Sequence, residues 1–482
     1  MSVQVFLQGR VFGIEQFLSS SLHVAGGEKT DERLLIGRSR WVALLAEVLP
    51  RALLAELGLS RMLLGTSGGG QFLLVIPDEA RPEAERFLRA AAADISRLSN
   101  RMVTLDWAAT ENLGDWTLVR KRLNEEMRKR RSTPAADGGA DFFQPFPLEP
   151  SSTDADEYFT LEMAVAIREA QLVGWSPETP GQVLADKGKH TWAIGASADA
   201  IPLARHSAPD DTGARSADRN ELAGRAEGRA VWGVLRGDVD NFDIRIRRLT
   251  TIEEHVQLSV MYKQFFAGEL EIVCSMPEFW RKVSIIYSGG DDFAVYGSWD
   301  GLIQLAREIQ RLFHRLTEEN MKDFPGLEGK TISMAMALAP EPDAPLAAVY
   351  QESGRKLALA KATEKHCIHL LGRTLEWKQL AYASELKDNM SRMIREFAAP
   401  PQFLRELAGL YRETADGRDG ALERPWRLHG RLNRVLGPTR DRDFQRSRTT
   451  LLTDLVGKGA SQKRLRPSGR VALEWAKLST GV

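Results

Sequence analysis

Two stretches of the chain carry the same succession of apolar and polar positions. Two short apolar runs, Val283–Tyr287 and Phe293–Gly297, flank Ser288-Gly289-Gly290-Asp291-Asp292, which predicts a β-hairpin with the polar residues at its tip. Residues 61–76 have the same shape, with Ser67-Gly68-Gly69-Gly70-Gln71 between two apolar runs. A further apolar strand precedes each hairpin, and Leu7-Gln8-Gly9-Arg10-Val11 parallels Leu235-Arg236-Gly237-Asp238-Val239. Matched elements in the same order predict an internal duplication.

The element order of the second copy is the clearer. A strand ends at Asp238, a helix covers about 251–267, and the Gly-Gly hairpin follows. Apolar residues at 302, 305, 309, 312, 313 and 316 have helical spacing, with Asp300 as the expected N-cap. Thr331–Leu338 alternates as a strand, Pro345 opens a helix through Lys361, and Ile368–Leu371 makes a last strand. Met334 and Met336 read as core packing. The βαββαβ order predicts a ferredoxin-like palm, so the expected fold class is α+β with two palms. The first, degenerate palm is placed at 1–131, a linker domain at 132–229, the catalytic palm at 230–385 and a helical domain at 386–482. Within the linker domain, Ser132–Pro150 is rich in Pro, Gly and Asp, Tyr158–Val173 looks helical, and His206–Arg229 reads as a flexible polar connection.

Composition narrows the class without naming a chemistry. The chain of 482 residues is too long for one core, which predicts two to four domains. Lys+Arg and Asp+Glu both number 65, so any binding of polyanions must come from local patches. There is no apolar run near the length of a membrane span and no signal-peptide pattern at the start, which together with only two cysteines, Cys274 and Cys367, suggests a cytoplasmic protein without disulfides or a cysteine zinc site. Arg120-Lys121-Arg122 and Arg128-Lys129-Arg130-Arg131 flank a helical stretch, and 13 Lys/Arg face three Asp between Arg424 and Arg470. Such a balance suits an RNA or phosphate backbone, or equally a solvated helical surface facing protein partners. Trp426 and Trp475 would be interface or core anchors.

The hairpin tip carries the candidate chemistry. Adjacent Asp291 and Asp292 repel one another, a cost that divalent metal relieves. Gly289 and Gly290 remove side-chain bulk so that a triphosphate can approach the backbone. Asp238 at the end of the neighbouring strand would complete a cage for two Mg²⁺ ions about 3.5–4 Å apart, as in-line phosphoryl displacement requires. Asp240 is expected to point away and to matter less. In the first copy Arg10 replaces Asp238, and Gly70 and Gln71 replace the acidic pair, so no catalytic metal is expected there. Ser67, Gly68 and Gly69 could still cradle phosphate through hydroxyl and backbone N–H groups, with a substrate cleft between the copies. Lys361 and Lys365 either contact phosphates or solvate a helix end. His366 and His369 read as structural.

With its paired palms, Gly-Gly-Asp-Asp hairpin and helical tail, the chain resembles the large subunit of type III CRISPR–Cas effector complexes, the CRISPR polymerase, most closely of the Csm type. The resemblance rests on Gly9–Glu15, Ser67–Gly70, Asp238–Asn241, Ser288–Asp292 and Ala360-Lys361 followed by Lys365-His366, where the family usually shows Lys-Asn. It implies an ATP-using enzyme that makes cyclic oligoadenylate when the assembled complex pairs guide RNA with target RNA. Mg²⁺ or Mn²⁺ would be held by Asp238, Asp291 and Asp292, while Ser67 and Ser288 would lie near ATP. The partners implied are the other effector subunits, guide RNA and target RNA, with no membrane. The chain lacks the family's His-Asp dipeptide and the four zinc cysteines of the linker domain, so DNase activity is not expected and that domain should be held by packing. Competing readings are a diguanylate-cyclase-like enzyme using GTP, a synthase joining AMP to S-adenosylmethionine, and a scaffold subunit with a vestigial palm.

Overall fold

In a computed structural model, residues 3–20, 28–132, 153–195, 197, 199–415, 425–436, 441–455 and 466–481 are described. Strands β1 (Gln4–Phe12), β2 (Leu64–Gly68), β3 (Gln71–Pro77) and β4 (Thr104–Glu111) form a sheet in the order β2-β3-β1-β4. The linker region adds a small sheet, β6-β5-β7, from β5 (Leu172–Trp175), β6 (Leu184–Ala185) and β7 (His190–Ala193). The second large sheet is built from β8 (Trp232–Val239), β9 (Val283–Ser288), β10 (Asp292–Ser298), β11 (Ile332–Leu338), β12 (Cys367–Leu370) and β13 (Arg373–Glu376). Its order is β13-β12-β11-β8-β10-β9. Its β11-β8-β10-β9 part has the same ferredoxin-like order as the first sheet; β12 joins it parallel to β11, as a βαβ crossover requires.

The duplication is visible in one packing detail. Gly9 on β1 pairs with Phe72, and Gly237 on β8 pairs with Phe293. A Cβ on Gly9 would stand 2.1 Å from the Phe72 ring, and one on Gly237 2.2 Å from the Phe293 ring. In each palm a phenyl ring therefore lies across a strand glycine, a contact closed to larger residues.

Strand alternation sends the second sheet into two cores. Trp232, Val234, Ala294 and Tyr296 face the first palm and linker region. Leu235, Val239, Phe293 and Val295 face the helices beneath, among them Trp299–Asn320 and the tail. The tail comprises Trp377–Arg395, Gln402–Ala415, Pro425–Leu436, Arg442–Leu455 and Pro467–Thr480, so its first helix runs across residue 386. Trp475 is in that core, whereas the side chain of Trp426 lies outside the described residues.

Several local expectations change. The Trp299 helix is capped by Ser298, whose Oγ accepts from Gly301 N. Asp300 is instead buried and ion-paired to Lys282 at 2.6 Å. The helix expected over 251–267 begins with a Thr251/Glu254 capping box and continues through a π stretch, Gln264–Glu269, to Cys274. The helical segment starting near Tyr158 ends at Glu169, because Leu172–Trp175 is the central strand of the small sheet. His206–Arg229 is a fixed segment: Ala208, Ala217 and Leu222 are buried, and Asp218 and Glu221 cap the helix Arg219–Gly224. Its polar composition concealed sparse apolar anchors. Of the linker Ser132–Pro150, residues 133–150 lie outside the described residues.

Candidate active site

Strands β8 and β10 run antiparallel with Asp238 directly opposite Asp292. Opposed positions of adjacent strands bring side chains together on one face, so the strand pairing itself creates an acidic pair. Asp291 occupies the hairpin tip, where its carbonyl accepts from Val239 N at 3.0 Å, and Gly289 N donates to the Asp292 carbonyl at 2.8 Å. Gly289 has no room for a side chain, since a Cβ would stand 2.0 Å from the Tyr287 hydroxyl and 2.4 Å from Asp292 Oδ1.

The carboxylates are crowded. Burial, then the charges of Asp292 and Asp238, push Asp291 well above the ordinary carboxylate range, with Asp243 adding to the effect. Burial raises Asp292 to about 6 even though the Tyr287 hydroxyl donates to its Oδ1 at 2.8 Å. Asp238 is raised by burial as well, opposed by Lys361, whose ammonium pairs with Asp238 Oδ1 and reaches the Val239 carbonyl at 3.3 Å. Two hard carboxylates side by side with a third at the tip make a donor set suited in kind to Mg²⁺ or Mn²⁺, and a cation would relieve the repulsion that raises them. Among the described residues, however, no three acidic, histidine or cysteine groups converge as a preformed cage, and the Lys361 ammonium stands at Asp238.

Asp240 lies apart from this group. It is 1% exposed and accepts from Thr331 Oγ1 and Ser333 Oγ, both at 2.8 Å, and from His366 N at 2.9 Å. Strand alternation alone would put it on the face of Asp238; the strand ends at Val239, and the turn carries it into the sheet. It ties the ends of β8, β11 and β12 together. His369 Nδ1 meets Thr374 Oγ1 at 3.0 Å across β12 and β13.

The two glycine hairpins meet tip to tip. A Cβ on Gly69 would lie 3.3 Å from Gly290 N. A cleft lies beside them, lined by Ser67, Gly68, Gly69, Ser288, Gly289, Gly290 and Asp291 among others. The two serines are engaged inside the protein. Ser67 Oγ donates to Glu47 Oε2 at 2.8 Å and receives Lys263 Nζ at 3.0 Å, while Ser288 Oγ donates to the Phe266 carbonyl. Lys365 is exposed just past the helix Leu346–Thr363.

Other residues at the site carried no motif. Tyr287 orients Asp292. Arg236 stacks 4.3 Å from the Tyr350 ring centroid and pairs at 3.0 Å with Glu15 from the first palm. Lys263 crosses from the second palm to buried Glu47 at 3.1 Å, and Arg51 meets the same carboxylate at 2.7 Å. Tyr287 and Arg236 could have been found by strand parity next to Asp292 and Asp238. Nothing in the sequence links Lys263 to Glu47, 216 residues away.

Comparison with known proteins converges on this region. Residues 231–369 match the family model for the second palm domain of Cas10/Cmr2. A Mycobacterium tuberculosis protein named a CRISPR system single-strand-specific deoxyribonuclease, Cas10/Csm1 of subtype III-A, is 25% identical, the match covering 77% of this chain and 54% of that protein. An Enterococcus italicus protein of the same name is 28% identical over 31% of this chain and 19% of its own length. The chain thus spans about half the length of the M. tuberculosis relative. A solved Csm1–Csm4 cassette in complex with one ATP superposes with a TM-score of 0.73 at 16% identity, covering 100% of this chain and 70% of that one. A Csm1–Csm4 cassette in complex with cA4 gives 0.72, at 99% and 70% coverage. With a match to the Cas10/Cmr2 second palm over residues 231–369 and the Csm1 fold throughout, this chain is similar to the Csm-type large subunits of type III CRISPR–Cas systems.

Proposed function

We propose that the protein is the nucleotidyltransferase of a type III effector complex, joining ATP into cyclic oligoadenylate when guide RNA pairs with target RNA. The observation that carries this reading is the facing of Asp238 and Asp292 across β8 and β10, with Asp291 beside them at a glycine cleft. Relatives of the same fold were solved with one ATP, pppApA and cA4, which supports a nucleotide-sized occupant for the cleft. Asp238, Asp291 and Asp292 would hold divalent metal, which when bound supplies a more acidic 3′-hydroxyl and charge neutralisation at the phosphate. Gly289 and Gly290 let a triphosphate lie against the hairpin. The Tyr287 hydroxyl fixes one oxygen of Asp292 and leaves the other free to ligate. Lys361 opposes the effect of burial on Asp238, and on entry of metal its ammonium becomes available to phosphate. Ser67 and Ser288 line the nucleotide cleft on the two sides, and Lys365 adds a long-range positive charge that acts on Asp238. By kinship with the solved cassettes, a Csm4-like subunit would be an immediate partner.

A second reading, a scaffold subunit with a silent palm, is favoured by the Lys361–Asp238 pair and by the lack of a converged cage. The decisive experiment supplies ATP and Mg²⁺ or Mn²⁺ to the assembled complex with guide and target RNA. Cyclic oligoadenylate from the parent, and none from Asp291→Ala with Asp292→Ala in an intact complex, is the expected result. Synthesis retained by the double variant rejects the assignment. No product from the parent favours the scaffold, and product from GTP alone favours the diguanylate-cyclase reading.

A further inference from the structure

One helix grips both glycine hairpins. The run Ile252–Cys274 is continuous: α-helical to Lys263, a π stretch over Gln264–Glu269, then α-helical again. Lys263 stands just before the π stretch and Phe266 lies within it, less than one turn further on. Lys263 Nζ donates to Ser67 Oγ, on the hairpin of the first palm, at 3.0 Å. The Phe266 carbonyl accepts from Ser288 Oγ, on the hairpin of the second palm. A π stretch interrupts the regular i→i−4 ladder, and such an interruption is a place where an outside side chain joins it.

The helix is itself held at both ends. Near its start, Arg120 of the first palm donates to the carbonyls of Ile246 and Arg247, and the His255 ring lies 5.3 Å from Trp116. Near its finish, Glu271 Oε2 accepts from the backbone N–H groups of Arg205 and His206, both at 2.7 Å. Around Ser67 the packing is equally close. Gly68 has a φ of +111°, and a Cβ there would stand 2.9 Å from Glu47 Oε1. Lys263 reaches both oxygens of Glu47, at 3.1 and 3.4 Å, as well as Ser67, which occupies the three donors of its ammonium. Glu47, Ser67, Gly68, Lys263 and Ser288 all line the cleft.

We propose that Lys263 is a positioning residue, through which the helix Ile252–Cys274 fixes the separation of the two hairpins and so of the two nucleotides that meet between them. This inference rests on the reading of the cleft as a place where ATP molecules are joined. Joining needs the attacking oxygen about 3–3.5 Å from phosphorus, and a misplacement of about 1 Å costs about 100-fold in rate. Gly69 and Gly290 meet tip to tip as bare backbone, with no side chain to interlock. Alignment of the tips therefore falls to the groups behind them, the two serines and their shared helix. Because the donors of Lys263 are taken by Glu47 and Ser67, it acts on the nucleotides through the hairpin and not by grasping phosphate.

The test compares the parent with Lys263→Met carrying Glu47→Leu and Arg51→Leu, which removes the cluster without stranding an ion. ATP turnover is measured in the assembled complex with guide and target RNA and Mg²⁺, at a temperature where melts show every variant folded. Spin labels at Met62→Cys in the first palm and Leu359→Cys in the second read the separation of the palms in the full chain. Both sites are exposed, and Cys274 and Cys367 are buried away from the label. The neutral variant should lose about 100-fold in kcat with little change in KM for ATP, and its label distances should shift or broaden. Lys263→Arg keeps the charge and the donors and should hold both readouts at parental values. Parental kcat in the neutral variant overturns this inference alone. A rise in KM with unchanged distances overturns it too, and assigns Lys263 to direct contact with the nucleotide. No product from the parent overturns the reading of the cleft and this inference with it.

Discussion

At the scale of single residues, the hairpin is a place where charge is confined at a cost. Because burial raises Asp292 to about 6 in the fold, above its ordinary value near 4, the folded state holds a proton that the unfolded chain releases. Metal-free stability should therefore be highest below about pH 4 with respect to this group and fall as pH rises through about 6. Asp292→Asn should remove that part of the slope and raise the metal-free melting temperature at pH 7, as difference scans against the parent will read. Mg²⁺ should reverse the trend, stabilising the parent more at pH 8 than at pH 5, because ligation requires the deprotonated carboxylates. Lys361→Met should leave the half-buried Asp238 without its cation, raise its proton affinity further and depress product formation by the activated complex. If Lys361→Met proves as active as the parent, the lysine only solvates the helix end.

At the scale of elements, the two palms use one packing device twice, a phenyl ring across a strand glycine. Gly237→Ala should cost about 1–3 kcal/mol by overpacking against Phe293. Phe293→Leu should recover part of the loss in the double variant, and equilibrium denaturation of the four species reads the coupling. The helix Ile252–Lys263 offers a separate check. His255, 5.3 Å from Trp116 and close to Arg120, is lowered to about 4 by burial first and that charge second. The unfolded chain then binds the proton more readily, so this residue makes the fold lose stability as pH falls from about 6.5 to about 4. His255→Phe should flatten that acid limb without altering stability at pH 8 by more than a small packing term.

At the scale of the whole molecule, one ion cluster spans the two halves. Lys263 of the second palm reaches buried Glu47 and Ser67 of the first, and Arg51 closes the group. Burial opposes the charge on Glu47, but Lys263 and Arg51 hold it below the usual carboxylate range. Removing one partner of such a pair leaves a buried charge, at a cost of about 3–5 kcal/mol. Lys263→Met should therefore destabilise strongly. Adding Glu47→Leu and Arg51→Leu should restore much of the loss, since three neutral side chains leave no stranded ion, and urea titration of the set will show whether the palms are coupled as described.

The duplication, the ferredoxin-like order, the glycine hairpins and the acidic strand ends were all legible in the sequence, because each is a local pattern of alternation, turn residues and charge. The chain alone determined that two palms exist and which one kept its acids. It misassigned the cap at Asp300, where a side chain equally suited to capping and to pairing was drawn to Lys282. It took His206–Arg229 for a loose connection, because a few buried alanines and one leucine carry no periodicity. Only the tertiary structure decided that Asp240 turns inward, that Lys361 stands on Asp238, and that Glu47, Ser67 and Lys263 meet between the palms. Those arrangements depend on contacts between residues far apart in the chain, and short-range pattern holds no information about which distant charges burial will bring together.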